Sequence, residues 1–391
     1  MRYGDILSRR VQNLQPSGIR KFFDLLQNME DTISLGVGEP DFQTPWHIRD
    51  AGVYSLEKGF TRYTSNAGLM ELRREIAAYM SRRYQLNYRP DGEVLVTVGG
   101  SEGLDLAFRC LIDPGDEVII PVPSFVCYGP LVEMAGGVPV YLEMRAEEEF
   151  KVTPEDLKPL LTPRTKVLLL PFPSNPTGGV MERSDLEKIA KLLEGTEIMV
   201  VSDEIYGELT YGGLHHVSMA NLPGMWERTI VINGLSKSHS MTGWRMGFAC
   251  APAEIIAQMT KLHQFAIMCA PTTSQYAAVE ALRNGDRDME RMREEYDGRR
   301  RFLVKGLREL GLSCFEPRGA VYVFPSIRST GLTSDEFCER LLLSQRVAVI
   351  SGSAFGQGGE GFVRCCYAAS MHDLKEALER IRLFLEELKK G

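Results

Sequence analysis

A chain of 391 residues, 44% hydrophobic and 25% charged, has ordinary globular composition and a length that suits one large domain plus a smaller one. Its net charge of -7 disfavours a nucleic-acid partner or an anionic membrane surface. No apolar run approaches the roughly 20 residues needed to cross a bilayer, and the stretch MRYGDILSRRVQNLQPSG holds no apolar core of signal-peptide length.

Residues 1–40 read as an N-terminal arm with a short helix, GIRKFFDLLQNM, running into the Gly/Pro-rich loop ISLGVGEPDFQTP. Next comes a helical stretch, GLMELRREIAAYMSRRY, whose Leu69, Leu72, Ile76, Ala77 and Met80 share one face. Apolar runs bounded by turns follow: EVLVTVGG, DEVIIPVPS, VPVYLEM, KVLLLPFPS, EIMVVSDE, TIVINGLSK and MGFACAP. Helical stretches separate most of them. Runs such as Lys166–Pro171 do not alternate polar with apolar, so they suit strands covered on both faces. This pattern predicts an open α/β fold over residues 41–280, a mostly parallel sheet covered by helices on both faces.

After about residue 280 the texture changes. A long charged amphipathic helix, DRDMERMREEYDGRRRFLVKGLREL, precedes strand-like GAVYVFPSI, a helix at SDEFCERLLLS, short VAVIS, a Gly-rich loop, the strand FVRCCYA and a last helix. Residues 281–391 are expected to form a smaller α+β domain, with the arm packed against it. The eight cysteines, at 110, 127, 250, 269, 314, 338, 365 and 366, form no CxxC pair and no metal-ligand spacing with histidine, so no metal site is expected. Most sit in apolar surroundings, and reduced thiols in a cytosolic protein are the expectation.

Ligands of open α/β sheets bind beyond the carboxyl ends of the strands. The polar residues standing where the apolar runs stop are Gly99-Gly100-Ser101-Glu102, Ser124-Phe125, Ser174-Asn175, Asp203 to Tyr206, and Ser236-Lys237. Together they supply an amine, a carboxylate, a phenol, an amide, an aromatic face and a helix N-terminus. That set suits pyridoxal phosphate. Its aldehyde needs a lysine for a Schiff base, its pyridine nitrogen a carboxylate, its ring oxygen hydrogen-bond donors and its phosphate an anion site.

Each residue also has a plainer reading. Lys237 alone reads as a solvated side chain, Arg245 as half of a surface ion pair, and Asp203 as a helix cap. Tyr206 and Phe125 fit a core, and Asn175 in SNPTGG is a turn signal. Ser101 reads as the N-cap of the helix that GGSEGLDLAF opens, where Gly99 and Gly100 would let the backbone approach a phosphate.

Eight motifs in order resemble the class I/II aminotransferases, fold-type-I pyridoxal-phosphate enzymes like aspartate aminotransferase: LGVGEPDF, YTSNAGLMELR, GGSEGLDLAF, PSFVCY, SNPTGG, SDEIYGEL, GLSKSHSMTGWRMGF and AFGQGGEGFVRCCYA. The most specific is the lysine segment with its S-K-x-x-x-x-x-G-x-R spacing. The resemblance implies that Lys237 holds the cofactor and shuttles the proton, that Asp203 pairs with the pyridinium, and that Asn175 and Tyr206 hydrogen-bond the ring oxygen. It implies that Gly100, Ser101, the Glu102 backbone, Ser236 and Arg245 bind the phosphate, and that Phe125 stacks on the ring where relatives often carry tyrosine or tryptophan. It further implies that Tyr63 reaches the phosphate in a partner subunit of a homodimer, and that Arg364 grips the substrate α-carboxylate beside Gly38 and Asn175.

The activity so implied is ping-pong transfer of an amino group between an L-amino acid and a 2-oxo acid. A carbon–sulfur β-lyase on the same fold stays open as the alternative. An aminotransferase-like regulator is disfavoured, because too few residues precede ISLGVGEP for a DNA-binding segment. Ile19 and Arg20 are candidate neighbours of the substrate entrance, Arg20 meeting an acidic side chain or simply a solvated charge.

Overall fold

The computed structural model describes residues 3–14 and 31–390. The expected helix GIRKFFDLLQNM, with Ile19 and Arg20, lies outside the described residues. A seven-stranded sheet forms the centre, from β2 (Val94–Val98), β3 (Glu117–Val122), β4 (Val138–Glu143), β5 (Thr165–Leu170), β6 (Met199–Asp203), β7 (Thr229–Gly234) and β8 (Met246–Cys250). The strand order is β2-β8-β7-β6-β5-β3-β4. Neighbours from β7 through β4 pair in parallel; only β8, which pairs antiparallel with both β2 and β7, runs against the rest.

Alternation along the strands sends side chains to two separate cores, which is why these runs carry apolar residues at every position. On β8, Phe248 and Cys250 enter one core while Ala249 enters the other. Likewise Val231 on β7 joins the first, and Ile230 and Ile232 the second. Helices α1 (Trp46–Glu57) and α2 (Met70–Tyr84) close the first face together with a later helix at Thr272–Asn284; helix α3 (Gly99–Leu111) lies on the other. Helix α2 starts one residue after Leu69, which is its N-cap, and buries Leu72, Ile76, Tyr79 and Met80. Ala77 is only half-buried.

Beyond the sheet runs a 24-residue helix, α4 (Asp286–Glu309). A three-stranded antiparallel sheet follows in the order β11-β12-β9, from β9 (Tyr322–Val323), β11 (Ile350–Ser351) and β12 (Val363–Cys366). Short β1 (Ile33–Ser34) pairs in parallel with β10 (Val347–Ala348). A third core gathers Tyr296, Leu303, Val323, Phe337, Cys365 and Phe384, and reaches back to Leu35, Tyr206 and Tyr211. We propose that the second domain begins near residue 280, with residues 31–40 joined to it; the short helix Arg9–Asn13 of the expected arm instead lies against the helix Tyr128–Ala135 of the large domain, where Arg10 donates to the Met134 carbonyl at 3.5 Å. The core built around α4 and β9 and the β1–β10 pair support that division.

Candidate active site

The carboxyl ends of β2, β3, β5, β6 and β7 open into a cavity of about 410 Å³, closed from the other side by the loop at Val37–Glu39 and by Tyr322 and Arg364. Its lining brings together eleven of the residues singled out in the sequence: Gly38, Gly100, Ser101, Phe125, Asn175, Asp203, Tyr206, Ser236, Lys237, Arg245 and Arg364.

Lys237 follows the end of β7 and its amine donates to the Gly38 carbonyl at 2.6 Å. Burial lowers its pKa to about 8, because a charged amine is poorly solvated there; Arg364 and Arg245 push the same way, against Cys366 and Glu39. The lysine is therefore neither a solvated cation nor locked in an ion pair, and a neutral amine is accessible near neutral pH.

Asp203 ends β6 as a buried carboxylate. Its Oδ2 accepts from the Tyr128 hydroxyl at 2.8 Å and its Oδ1 from the Ile205 N–H at 3.2 Å. Burial raises its pKa to about 6, and the two hydrogen bonds only partly oppose that. A carboxylate so placed calls for a cationic partner, and a pyridinium N–H is one. Tyr206 stands three residues on, its hydroxyl 2.7 Å from that of Tyr322.

Arg364 is 3% exposed. Its Nη1 donates to Asn175 Oδ1 at 2.8 Å and its Nη2 to the Gly36 carbonyl at 2.6 Å, while its Nε is buried with no partner. The guanidinium also lies over the Tyr322 ring, 4.6 Å from the centroid, and over Phe355 at 4.9 Å. A buried guanidinium that lines the cavity and has N–H capacity left over can take a carboxylate.

The helix end beside β2 differs from the sequence reading in one respect. Ser101 is not the N-cap: the helix begins at Gly99, its N-cap is Val98, and Ser101 occupies the third helical position. The reason is Gly99, whose φ of +73° makes the turn out of β2, so the helix starts three residues earlier than a Ser101 cap would place it. The same glycine makes room for Arg245. A Cβ at Gly99 would fall 2.5 Å from Arg245 Nη2. An arginine thus sits against a helix N-terminus, whose first N–H groups lack intrahelical acceptors, and the two together form an anion cradle.

Two candidates do not line the cavity. The Glu102 carboxylate accepts from the Val98 N–H and meets His263 Nδ1 at 2.7 Å, so only its backbone remains available to a phosphate. Tyr63 is 82% exposed on the surface of this chain. Tyr128 and Tyr322 are among the lining residues that were not foreseen. Tyr128 was reachable, since it follows Phe125 by three positions in PSFVCY. Tyr322 had no local signal, as its neighbours in the cavity come from distant segments.

The family profile described as aminotransferase class I and II matches residues 30–381. The chain belongs to the class I and II aminotransferases. It is 52% identical over 381 residues to the putative aminotransferase YugH of Bacillus subtilis, covering 97% of this chain and 98% of the relative. It is 44% identical over 385 residues to an aspartate aminotransferase of Pyrococcus abyssi, covering 98% and 99%. The crystal structure of an aromatic aminotransferase from Pyrococcus horikoshii superposes with a TM-score of 0.90 at 44% identity, covering 94% of this chain and 99% of that one. This aminotransferase family is one that works with pyridoxal phosphate, and the donor set fits it: a buried amine, a buried carboxylate in need of a cation, and an arginine against a helix N-terminus.

Proposed function

We propose that this aminotransferase moves an amino group between an L-amino acid and a 2-oxo acid with pyridoxal phosphate, by a ping-pong mechanism. The convergence of Lys237, Asp203 and Arg364 on one cavity carries the reading. Bound there, the cofactor supplies an aldehyde that captures the substrate amine and a protonated ring that draws electrons from Cα.

The chain's own residues do the rest. Arg364 holds the α-carboxylate by its planar fork, with Asn175 fixing one side of the guanidinium, so the Cα–H is oriented before it reacts. Lys237 Nζ, with its lowered pKa, takes up the Cα proton and returns it. Asp203, held by Tyr128, would pair with the ring nitrogen and keep it protonated. Arg245, Ser236 and the first turn of α3 anchor the phosphate, and Phe125 offers an aromatic face.

The proposal includes a homodimer that shares its sites. Exposed Tyr63, Trp46 and Phe265 (82%, 65% and 88%) support it, because monomeric surfaces rarely carry several large exposed aromatics close together. Asn66 ties the Tyr63 loop to the Met268 carbonyl, next to the end of the helix carrying Phe265, so Tyr63 and Phe265 belong to one region. Eight free cysteines support a reducing compartment.

The kinetic test is direct. Initial rates at several fixed concentrations of the oxo acid are expected to give parallel double-reciprocal lines against amino acid. Intersecting lines would show both substrates bound at once and remove the ping-pong scheme.

A further inference from the structure

Tyr322 on β9 and Tyr206, just past β6, bring their hydroxyls to 2.7 Å, with the rings edge to face and their centroids 5.8 Å apart. Each phenol has one proton to donate. One proton makes the contact between them, and the other is left to point elsewhere. Which tyrosine spends its proton on the pair decides what the cavity receives.

The surroundings decide it. Both residues are buried and both line the cavity. Tyr322 has Arg364 over its ring face, and its hydroxyl is wedged so close to Gly38 that a Cβ there would lie 2.2 Å away. Arg364 offers no lone pair, and among the described residues the Tyr322 hydroxyl has no hydrogen-bond partner besides Tyr206. Burial raises the pKa of both phenols, and at Tyr322 the chief influence against it is the Arg364 cation lying over the ring face, which favours Tyr322 as the donor.

We infer that Tyr322 is a positioning residue that donates its proton to the Tyr206 hydroxyl and so aims the Tyr206 proton at the cofactor's ring oxygen. The inference rests on the pyridoxal-phosphate reading above. A hydroxyl that accepts one hydrogen bond donates a stronger second one, so Tyr322 also strengthens Tyr206 as a donor. Because Tyr322 lies under the Arg364 guanidinium, the arrangement links the carboxylate end of the cavity to the ring end. The charged and titratable groups facing the pair are Arg364 and Cys366, with Lys237 over the Tyr206 ring at 5.8 Å.

The test is a spectroscopic pH titration of the protein loaded with pyridoxal phosphate, with no substrate. A donor to the ring oxygen competes with the protonated nitrogen of the Lys237–cofactor link for that oxygen's charge. It therefore lowers the pH at which the link loses its proton and the visible band changes. Tyr206→Phe is expected to raise that pH. Tyr322→Phe is expected to raise it too, by a smaller amount of roughly half a unit to a unit. In the double variant, adding Tyr322→Phe to Tyr206→Phe is expected to change nothing further. No shift in Tyr322→Phe, a downward shift, or an equal shift with and without the Tyr206 hydroxyl would overturn the inference. Wild-type protein that gains no visible band from pyridoxal phosphate would instead defeat the functional reading, and this inference with it.

Discussion

Replacing Lys237 by alanine is expected to lower kcat by roughly 10⁴-fold or more, because one side chain holds both the covalent anchor and the base. The amine sits in a cavity that lowers its pKa to about 8, against the Gly38 carbonyl and facing Arg364. No second lysine lines that cavity among the described residues. Loss of the side chain removes one donated hydrogen bond and opens space beside the loop, which the surrounding core tolerates. The variant should therefore stay folded, with circular dichroism unchanged, and fail in chemistry. Turnover within about tenfold of wild type would mean that the proton is handled elsewhere.

Arg364→Ala is the second large effect. It removes the guanidinium that spans Asn175 and Gly36 and lines the cavity. Deleting one partner of a buried charge-assisted contact costs about 2–5 kcal/mol, so kcat/KM for an amino acid should fall roughly 30- to 5,000-fold. The sharper readout is discrimination. A primary amine without an α-carboxylate gains nothing from Arg364 in the wild-type protein, so the variant should treat the amino acid and that amine nearly alike. Arg364→Lys should recover only part of the loss, because an ammonium keeps the charge and lacks the fork. Equal losses toward both substrates would show that Arg364 supports the fold and not the substrate.

Much of this site could be read along the chain because a parallel sheet gathers its functional groups at strand ends. Asp203, Lys237 and Asn175 each stand where an apolar run stops, and the fold carries all of those stops to one edge. Residues that arrive from the opposite side left no such trace. Tyr322 sits in GAVYVFPSI, a plain strand pattern, and meets Tyr206 from 116 positions away. Its role depends on how two cores are set against each other, which no local spacing encodes. Ser101 was misplaced for a local reason instead. A serine after two glycines has the pattern of an N-cap, yet the positive φ of Gly99 starts the helix earlier and turns Ser101 into a residue of the first turn. The dimer reading for Tyr63 came from resemblance to the family, and a single chain offers only its exposure.

The most direct measurement is the absorption spectrum of the purified protein with pyridoxal phosphate, taken before and after one amino acid and again after a 2-oxo acid. A visible band that bleaches to a near-ultraviolet one on adding the amino acid, and returns on adding the oxo acid, is the result expected of amino-group transfer through this cavity. A band that survives Lys237→Ala unchanged, or no band at all with the cofactor in excess, would contradict it.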